Sequence, residues 1–507
     1  MGKILTGYKS AVISDIIQSN NYYYMFASNP IPSAAIPYVG SDDYSTLFVD
    51  GWQMLFGKRI KPEDILPVVR NVQWESGTVY DQYDNTKDMS TKNFFVVVTP
   101  AVVGGDYLIY KCIDNNNGGQ STIKPDLVQR AVFTKTDNYK WKYITSISSA
   151  DYDKFATTSF IPVYANTTIQ SAALVDSGVE IVVVANTGSG YSAYHDGVIQ
   201  SVQSTTILQI EGAASINNDF YVNNSIYVYN DESPTANLQT ISSYTSNSSG
   251  KWVTLQSEID VNIIDPGVTK YKISPRVVFK TNGNTQPSAY SVVNTQSNSI
   301  SSIVVTDVGT GISWANVHIE SNTIFGTGAN VYAIVAPPGG HGFDPVDELP
   351  VKGFCIAMTF ANNENETIPT EPIYNKIGII KNPYQLDNST GGNLGSPMVA
   401  NTFSAVANFT PLNNSVFDVG DTITGVTTGT IGTVAFSNTT VLLVTGDKSF
   451  APGEYVVSSD GTISDQIEIN SLGDVYTKDI RPLYVQNLSD VERSNTSSES
   501  YKLVIQI

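Results

Sequence analysis

The chain has 507 residues, of which 41% are hydrophobic and 15% are charged, and its formal net charge is −19. The length predicts about three domains, and the apolar content excludes a wholly disordered chain. The acidic balance argues against nucleic acid as a partner, because binding to phosphates depends on Lys and Arg. No stretch approaches 18 consecutive apolar residues, so we expect no membrane-spanning helix.

The front of the chain, residues 1–165, is predicted to be an α+β region. The apolar spacing over Tyr8–Ser19 predicts a helix, and the aromatic run from Tyr22 to Ala27 predicts a strand. Residues 51–70 have helical character, with a second short helix opened by Pro62, Glu63 and Asp64. Further strands are predicted over 94–98, 107–113 and 139–146.

A cluster of basic residues accompanies the predicted helices of this region. Its members are Lys58, Arg59, Lys61 and Arg70. Because apolar residues are interleaved with them, we interpret the cluster as the solvent-facing side of an amphipathic helix. An ionic contact with an acidic partner is the alternative.

The segment from 166 to 345 is predicted to be all-β. Between residues 151 and 350 there are six Lys and Arg residues against 17 Asp and Glu residues. Short runs of Val, Ile and Tyr alternate with clusters of Asn, Ser and Gly, which is typical of strands joined by turns. The similar segments 181–192 and 303–313 are interpreted as two edges of one β unit. They are separated by a sub-insertion at about 200–300, with strands predicted over 225–229, 238–244 and 252–255.

A second β insertion is predicted at 396–472, where closely spaced hairpin patterns indicate a small barrel. The flanking segments, 346–395 and 473–507, are strand-like and resemble residues 1–165 in texture. We therefore predict a fold that is mainly β with some α (α+β). In it, 1–165, 346–395 and 473–507 form one discontinuous β-sandwich platform into which two all-β modules are inserted.

Signals for enzyme chemistry are weak. The histidines are His195, His318 and His341, and no two have the spacing of a metal site or a catalytic triad. Asp344 could orient His341 as a general base, but the surrounding glycines favour a tight turn that packs the imidazole. His318 lies in an alternating run and is expected to point outward from a strand. We predict no catalytic residue, no cofactor-binding residue and no metal ligand.

The sequence contains two cysteines, Cys112 and Cys355, and both are flanked by apolar residues. Two cysteines in a chain of this length form neither a disulfide framework nor a zinc site. We therefore expect two buried, reduced thiols.

Several segments, in a consistent order, carry a resemblance to a known family. They are Tyr22–Phe26, Trp52–Ile60, Ile65–Val69, Val79–Asp84, Tyr107–Asp114, Asp137–Tyr143, Asn375–Pro383, Arg481–Leu483 and Tyr501–Ile507. Together they resemble the baseplate wedge proteins, products of gene eight, of T-even-like contractile-tailed phages. The similarity covers about 165 residues at the front and about 80 at the back. The Gly-x-Gly turns and the Gly339–Gly342 motif are closer to cyanophage-type relatives.

The resemblance implies a structural virion protein without enzymatic activity or cofactor, assembled in the host cytoplasm into the tail baseplate. Members of this family are β-rich, tend to form homodimers and bind other wedge proteins, and they help to pass receptor engagement on to sheath contraction. A contact with tail-fibre attachment proteins is a further expectation. The alternative is a tail-fibre or receptor-binding protein whose middle β modules bind host glycans through exposed aromatic residues such as Tyr191 or Trp314.

Eight residues are singled out as structural or interface candidates. They are Tyr22, Tyr24, Trp52, Phe56, Trp141, Tyr143, His341 and Arg481. Trp52 and Trp141 are expected to anchor the core of the first domain, because large aromatic side chains dominate core packing. The strand that contains Tyr22 and Tyr24 is either part of the core or the edge of a dimer, and the sequence leaves both options open.

Overall fold

A computed structural model describes residues 6–18, 20–29, 51–173, 177–231, 233–320, 326–362, 364, 367–494 and 496–507. Strands outnumber helices throughout these residues, so the predicted mainly-β fold class with some α is confirmed. The packing of the platform as a β-sandwich remains a prediction.

The helices of the described residues are short apart from the first. They are α1 (Thr6–Gln18), α2 (Ser149–Phe155), α3 (Thr167–Ala173) and α4 (Pro345–Glu348), with 3-10 turns at Pro62–Asp64, Asn116–Gly118 and Val261–Ile263.

The strands follow in chain order. The first group is β1 (Tyr23–Ser28), β2 (Met54–Ile60), β3 (Ile65–Arg70), β4 (Phe95–Val98), β5 (Tyr107–Asp114), β6 (Phe133–Thr134), β7 (Lys140–Ile147) and β8 (Phe160–Pro162). The second is β9 (Val179–Ser189), β10 (His195–Val198), β11 (Ser201–Ser204), β12 (Ile207–Ile210), β13 (Ser225–Asn230), β14 (Ser233–Asn247), β15 (Gly250–Leu255), β16 (Lys270–Ser274), β17 (Val277–Thr281), β18 (Ser288–Asn294), β19 (Ser299–Asp307), β20 (Ala315–Ile319) and β21 (Thr327–Val335). The third is β22 (Gly353–Ala361), β23 (Tyr374–Lys381), β24 (Tyr384–Asp387), β25 (Gly392–Pro397), β26 (Thr402–Ser404), β27 (Ala407–Pro411), β28 (Thr422–Gly425), β29 (Ile431–Ser437), β30 (Leu442–Gly446), β31 (Tyr455–Ser458), β32 (Ser464–Ser471), β33 (Val475–Tyr476), β34 (Tyr484–Val491) and β35 (Ser498–Gln506).

The chain divides into two compact units, and the boundaries fall at Val68/Val69 and Val351/Lys352. The first unit consists of residues 1–68 together with residues 352–507. The second unit is the continuous segment 69–351. The predicted boundary at 165 therefore lies inside the second unit. Strands β4, β5 and β7 belong there because their apolar side chains share one core with Ile181 and Ile334.

In the first unit the front of the chain pairs with its back. Strand β1 lies between β2 and β23 in a five-stranded sheet of order β26-β2-β1-β23-β34, with Tyr24 opposite Ile380. The last strand, β35, pairs with β22 over its whole length, with Phe354 opposite Ile505. The unit is thus discontinuous in sequence. Strands β1 and β23, which pair with each other, are separated by more than 300 residues of intervening chain.

The prediction of helices within residues 51–70 is mostly wrong. Strands β2 and β3 occupy this segment, and a single 3-10 turn at Pro62–Asp64 separates them. The first four residues of β2 are all buried because this strand lies inside its sheet, and a short apolar run of this kind fits a buried strand as well as a helix.

Three members of the basic cluster, Lys58, Arg59 and Arg70, are accordingly on strands, and Lys61 precedes the 3-10 turn. Lys58 donates to the backbone carbonyl of Thr359 at 2.7 Å and pairs with Glu364 at 2.6 Å. The Arg59 guanidinium lies 4.5 Å from the centre of the Tyr22 ring. These contacts hold β2 within the first unit. Lys58 and Arg59 therefore both have protein partners and do not only contact solvent.

The barrel predicted within 396–472 is confirmed. Six strands close it in the order β27-β30-β29-β28-β31-β32, between Ala407 and Ser471. Its core contains Phe409, Phe417, Ile423, Val434 and Val456. Barrel closure removes free strand edges, so this module needs no further strand to complete it.

The second unit contains a β module of its own. Strands β10 to β16 form a seven-stranded sheet, ordered β10-β16-β13-β14-β15-β12-β11, with a core of its own around Leu208, Ile226 and Tyr271. Strands β9 and β19, which carry the two similar segments, share another core that includes Val179 and Ile303. The module therefore sits between these two strands in sequence.

Candidate functional site: a buried charge network

The sequence candidates are mostly interior residues. Tyr24, Phe56, Trp141, Tyr143 and His341 are buried. Of the other three candidates, Tyr22 and Trp52 are partly buried and Arg481 is exposed.

The strand that could have been a dimer edge is a core strand. The Tyr24 hydroxyl donates to the carbonyls of Met398 and Ala400, at 3.1 and 2.7 Å. The Phe56 ring meets Phe360 and Tyr374 edge-on, with centroids 5.2 and 5.6 Å away. Edge-to-face packing of this kind stabilises beyond simple burial, so these residues join the front of the chain to its back.

Trp141 and Tyr143 anchor the sheet formed by β4 to β7. The Trp141 ring stacks on Tyr139 at 5.5 Å and meets Tyr80 edge-on at 5.8 Å. Tyr143 lies 5.8 Å from Tyr110. Both residues pack in a core of the second unit. Trp141 is therefore a core anchor, as expected, but it belongs to the second unit. Cys112 and Cys355 are likewise buried free thiols, which confirms that expectation.

His341 follows a glycine turn between β21 and α4, and its side chain is fully buried. Gly340 and Gly342 have φ values of +87° and +80°, which favour glycine. A Cβ on Gly342 would lie 2.4 Å from the Ile144 carbonyl oxygen, so the turn packs directly onto β7. The tight turn that packs an imidazole is therefore observed. His318 is exposed on β20, as predicted.

Both ring nitrogens of His341 face carboxylates. Nδ1 lies 2.6 Å from Oε1 of Glu348, and Nε2 lies 3.1 Å from Oε1 of Glu180. The second contact is an ion pair by distance, although its alignment falls short of a hydrogen bond. The imidazole therefore lies between two carboxylates, one close to each ring nitrogen.

Asp344 does not orient this histidine, contrary to the pairing considered from sequence. Its Oδ1 accepts hydrogen bonds from the backbone of Val346 and Asp347 and caps α4. The cap explains the sequence pattern, because Asp is a favoured residue before a helix. The cap starts the helix that positions Glu348, whose Oε2 accepts from the Gly342 backbone at 2.7 Å.

Two lysines complete the network. Lys111 on β5 lies directly opposite Lys142 on β7, and both side chains are buried. Lys111 bonds Glu348, and its Nζ lies 3.3 Å from Nδ1 of His341 and 4.0 Å from the centre of the Tyr83 ring. Like charges opposite each other destabilise a strand pair, so the two glutamates are needed to compensate.

The charges shift one another's protonation equilibria. Burial lowers the pKa of Lys111 below its ordinary value, although Glu348 opposes the shift. Burial by itself would raise the pKa of Glu348, but the charges of Lys111 and His341 outweigh it and bring the pKa well below its ordinary value. The pKa of Glu180 is lowered for the same reason, chiefly by His341. Both glutamates are therefore ionised at neutral pH.

Catalysis needs access, and this network has none. The exposed fractions of the Lys111, His341, Glu348 and Glu180 side chains are between 0 and 3%. In the part of the chain that the structure describes, no three His, Cys, Asp or Glu side chains are placed to hold a metal ion. What the arrangement does is join three parts of the chain that are far apart in sequence: β5, β9 and the glycine turn with the adjacent α4.

Sequence reasoning found His341 and missed its partners. Lys111 is flanked by Tyr110 and Cys112 on β5, and Glu180 is flanked by Val179 and Ile181 on β9. A charge in such a run is expensive unless it is paired, which is the signal that could have marked both. Glu348 carries no comparable signal, because it is one of several acidic residues near α4.

Comparison of the sequence with models of known protein families and with curated proteins finds no match. Of the helices in the described ranges, none has both the length and the apolar character of a membrane span.

Proposed function

We propose that the chain is a structural virion protein, a baseplate wedge subunit of a contractile phage tail. In this role it binds neighbouring wedge proteins, forms a homodimer and helps to relay the signal for sheath contraction. The proposal rests on the resemblance of the ordered sequence segments. The observation that carries it further is that the ionisable cluster around His341 is sealed from solvent and joins distant segments of the chain.

A protein that transmits force between neighbours must keep its shape under load. Strand pairing of the chain's two ends and the buried network each cross-link segments that are remote in sequence. Transitions in such assemblies proceed by repacking of interfaces between rigid bodies. Cross-links of this kind inside each unit suit this mechanism, because each unit can then move as a body.

A second candidate function is a receptor-binding protein whose β modules bind glycans. Tyr191 does not support it, because the residue is buried and its hydroxyl accepts from the Ala329 backbone. Trp314 is 46% exposed and remains available for a sugar. Glycan-array binding that is lost in Trp314→Ala would favour this candidate over the structural one.

The test is co-expression with the wedge proteins of a contractile-tailed phage, followed by affinity purification and sedimentation. The proposal predicts a dimer of the free chain and a stable complex with at least one wedge protein. The variant Glu348→Gln, which is expected to have a less stable fold, is the control. It shows whether a partner binds misfolded chain. A monodisperse monomer that co-purifies with none of the wedge proteins would contradict the proposal.

A further inference from the structure

One outward side of the barrel displays apolar side chains on strands β29 and β31 and on the turn that follows β28. Val426, Tyr455 and Ile431 are 65%, 51% and 50% exposed. The backbone of Val426 donates to the Tyr455 carbonyl at 2.8 Å, and Ile431 lies opposite Thr424 on β28. Because residues opposite each other in an antiparallel pair share a face, these side chains form one contiguous surface. We call Val426, Ile431 and Tyr455 the barrel patch.

The outward face of strand β30 is covered. The alternation that places Val444 of β30 in the barrel core directs Leu443 and Thr445 outward. Both of these outward residues are nevertheless buried. The barrel patch, in contrast, lies on a part of the barrel that the rest of the first unit leaves open.

A buried carboxylate fixes the turn beside the barrel patch. Glu454 accepts hydrogen bonds from the backbone of Thr427 and Thr428 at 3.2 Å and from Ala451 at 2.6 Å. A Cβ on Gly425 would lie 2.6 Å from Oε2 of Glu454, so the glycine makes room for the carboxylate. Burying a charged group is costly unless its hydrogen bonds are made, and here they hold an exposed turn in one conformation. A surface that is already ordered loses little entropy on binding.

The charges that the barrel itself exposes have one sign. Residues 407–471 contain seven acidic side chains and a single basic one, Lys448, which is buried. Glu468 is exposed on β32, two residues beyond Gln466, which lies opposite Tyr455. Asp447, beside Ile431, is already paired with Lys478 at 2.8 Å. The exposed charges of the barrel itself are therefore all negative.

We propose that the barrel patch is a docking surface for a second protein that presents apolar side chains inside a rim of Lys and Arg. Protein interfaces commonly have apolar contacts at the centre and complementary charges at the rim. A second copy of the barrel fits less well, because its own rim is also acidic. The proposal does not depend on the phage assignment, and within that assignment it names the chemistry of the barrel's neighbour.

The test uses the full-length chain and two short labelled peptides with the same leucine and serine positions. One peptide carries lysines at the remaining positions and the other carries glutamates. Fluorescence anisotropy should show the lysine peptide binding at least about tenfold more tightly, which corresponds to roughly 1.4 kcal/mol. Hydrogen exchange should be slowed by this peptide over residues 424–431 and 455–457.

The variant Val426→Ser/Tyr455→Ser should weaken binding of the lysine peptide by about tenfold. Val419→Ser, an exposed valine elsewhere on the same barrel, should leave it unchanged. If the double variant fails to fold, Ile431→Ser decides in its place.

Equal affinity for the two peptides, or protection outside the barrel patch, would overturn the proposal. So would self-association of the wild-type chain that the double variant abolishes, because the occupant would then be a second copy.

Discussion

The buried charges of the second unit and those of the barrel serve different ends. Around His341, charged groups from three distant segments satisfy one another, and no side chain among them reaches the surface. In the barrel, Glu454 and Asp465 are each buried beneath a loop and accept hydrogen bonds mainly from the loop backbone. The first arrangement holds the interior together, whereas the second shapes what the surface displays.

The largest effect is expected from Glu348→Gln. The substitution leaves Lys111 and His341 buried without their shared anion, and breaking a buried pair in this way costs about 3–5 kcal/mol. Urea unfolding should show this loss in the free energy of unfolding. Asp347→Asn, on the same helix but exposed, is the matched control and should change stability little. A loss for Glu348→Gln no larger than the control's would mean that the network does not stabilise the fold.

Gly353→Ala tests how the first unit closes. A Cβ at this position would lie 1.8 Å from the carbonyl oxygen of Ile505, so β22 and β35 would have to separate. We expect a loss of about 1–3 kcal/mol, as for other overpacked sites, and faster hydrogen exchange over residues 498–506. Gly212→Ala, where a Cβ would meet no neighbouring atom, is the control. Unchanged exchange at the C-terminal strand would show that its pairing with β22 is dispensable.

The sequence predicts the barrel better than it predicts the charge network around His341. The barrel strands follow from local turn chemistry and alternation, and these signals lie within a few residues of one another. The network brings together residues 111, 180, 341 and 348, and their proximity depends on the topology of the sheet. Residues 51–70 were assigned the wrong element because burial on both faces of a central strand removes the alternation that distinguishes a strand from a helix.

Lys448 is expected to make the stability of the barrel depend on pH. Burial lowers its pKa to about 7. Between that value and the ordinary lysine value of 10.5, the unfolded chain binds a proton that the folded chain does not. The free energy of unfolding should therefore rise with pH from about 7 upward, by at most about 1.4 kcal/mol per pH unit.

Chemical denaturation at several pH values between 7 and 9.5 measures this slope. Lys448→Met should flatten it, whereas Lys478→Met, a partly exposed lysine in an ion pair, should not. A slope that is identical in wild type and Lys448→Met would show that Lys448 keeps its proton in the folded state.

The smallest effect is expected from Asp465→Asn. Its carboxylate accepts from the backbone of Asn413 at 3.0 Å and of Ser415 at 2.9 Å, and weakening these bonds should cost about 1 kcal/mol. The change should be local, with faster exchange over residues 412–416 and unchanged exchange around His341. Asp418→Asn, on the same loop but exposed, is the control. A global loss of stability as large as that of Glu348→Gln would remove the distinction between the two regions.

The most direct measurement of the central claim is a cryo-electron microscopy reconstruction of contractile tails assembled with a tagged copy of this chain. The account predicts ordered density for the chain in every baseplate wedge, with the barrel patch against a neighbouring protein surface rich in Lys and Arg. Tails that assemble fully without the chain, or density confined to the distal end of a fibre with the β10–β16 module facing outward, would contradict it.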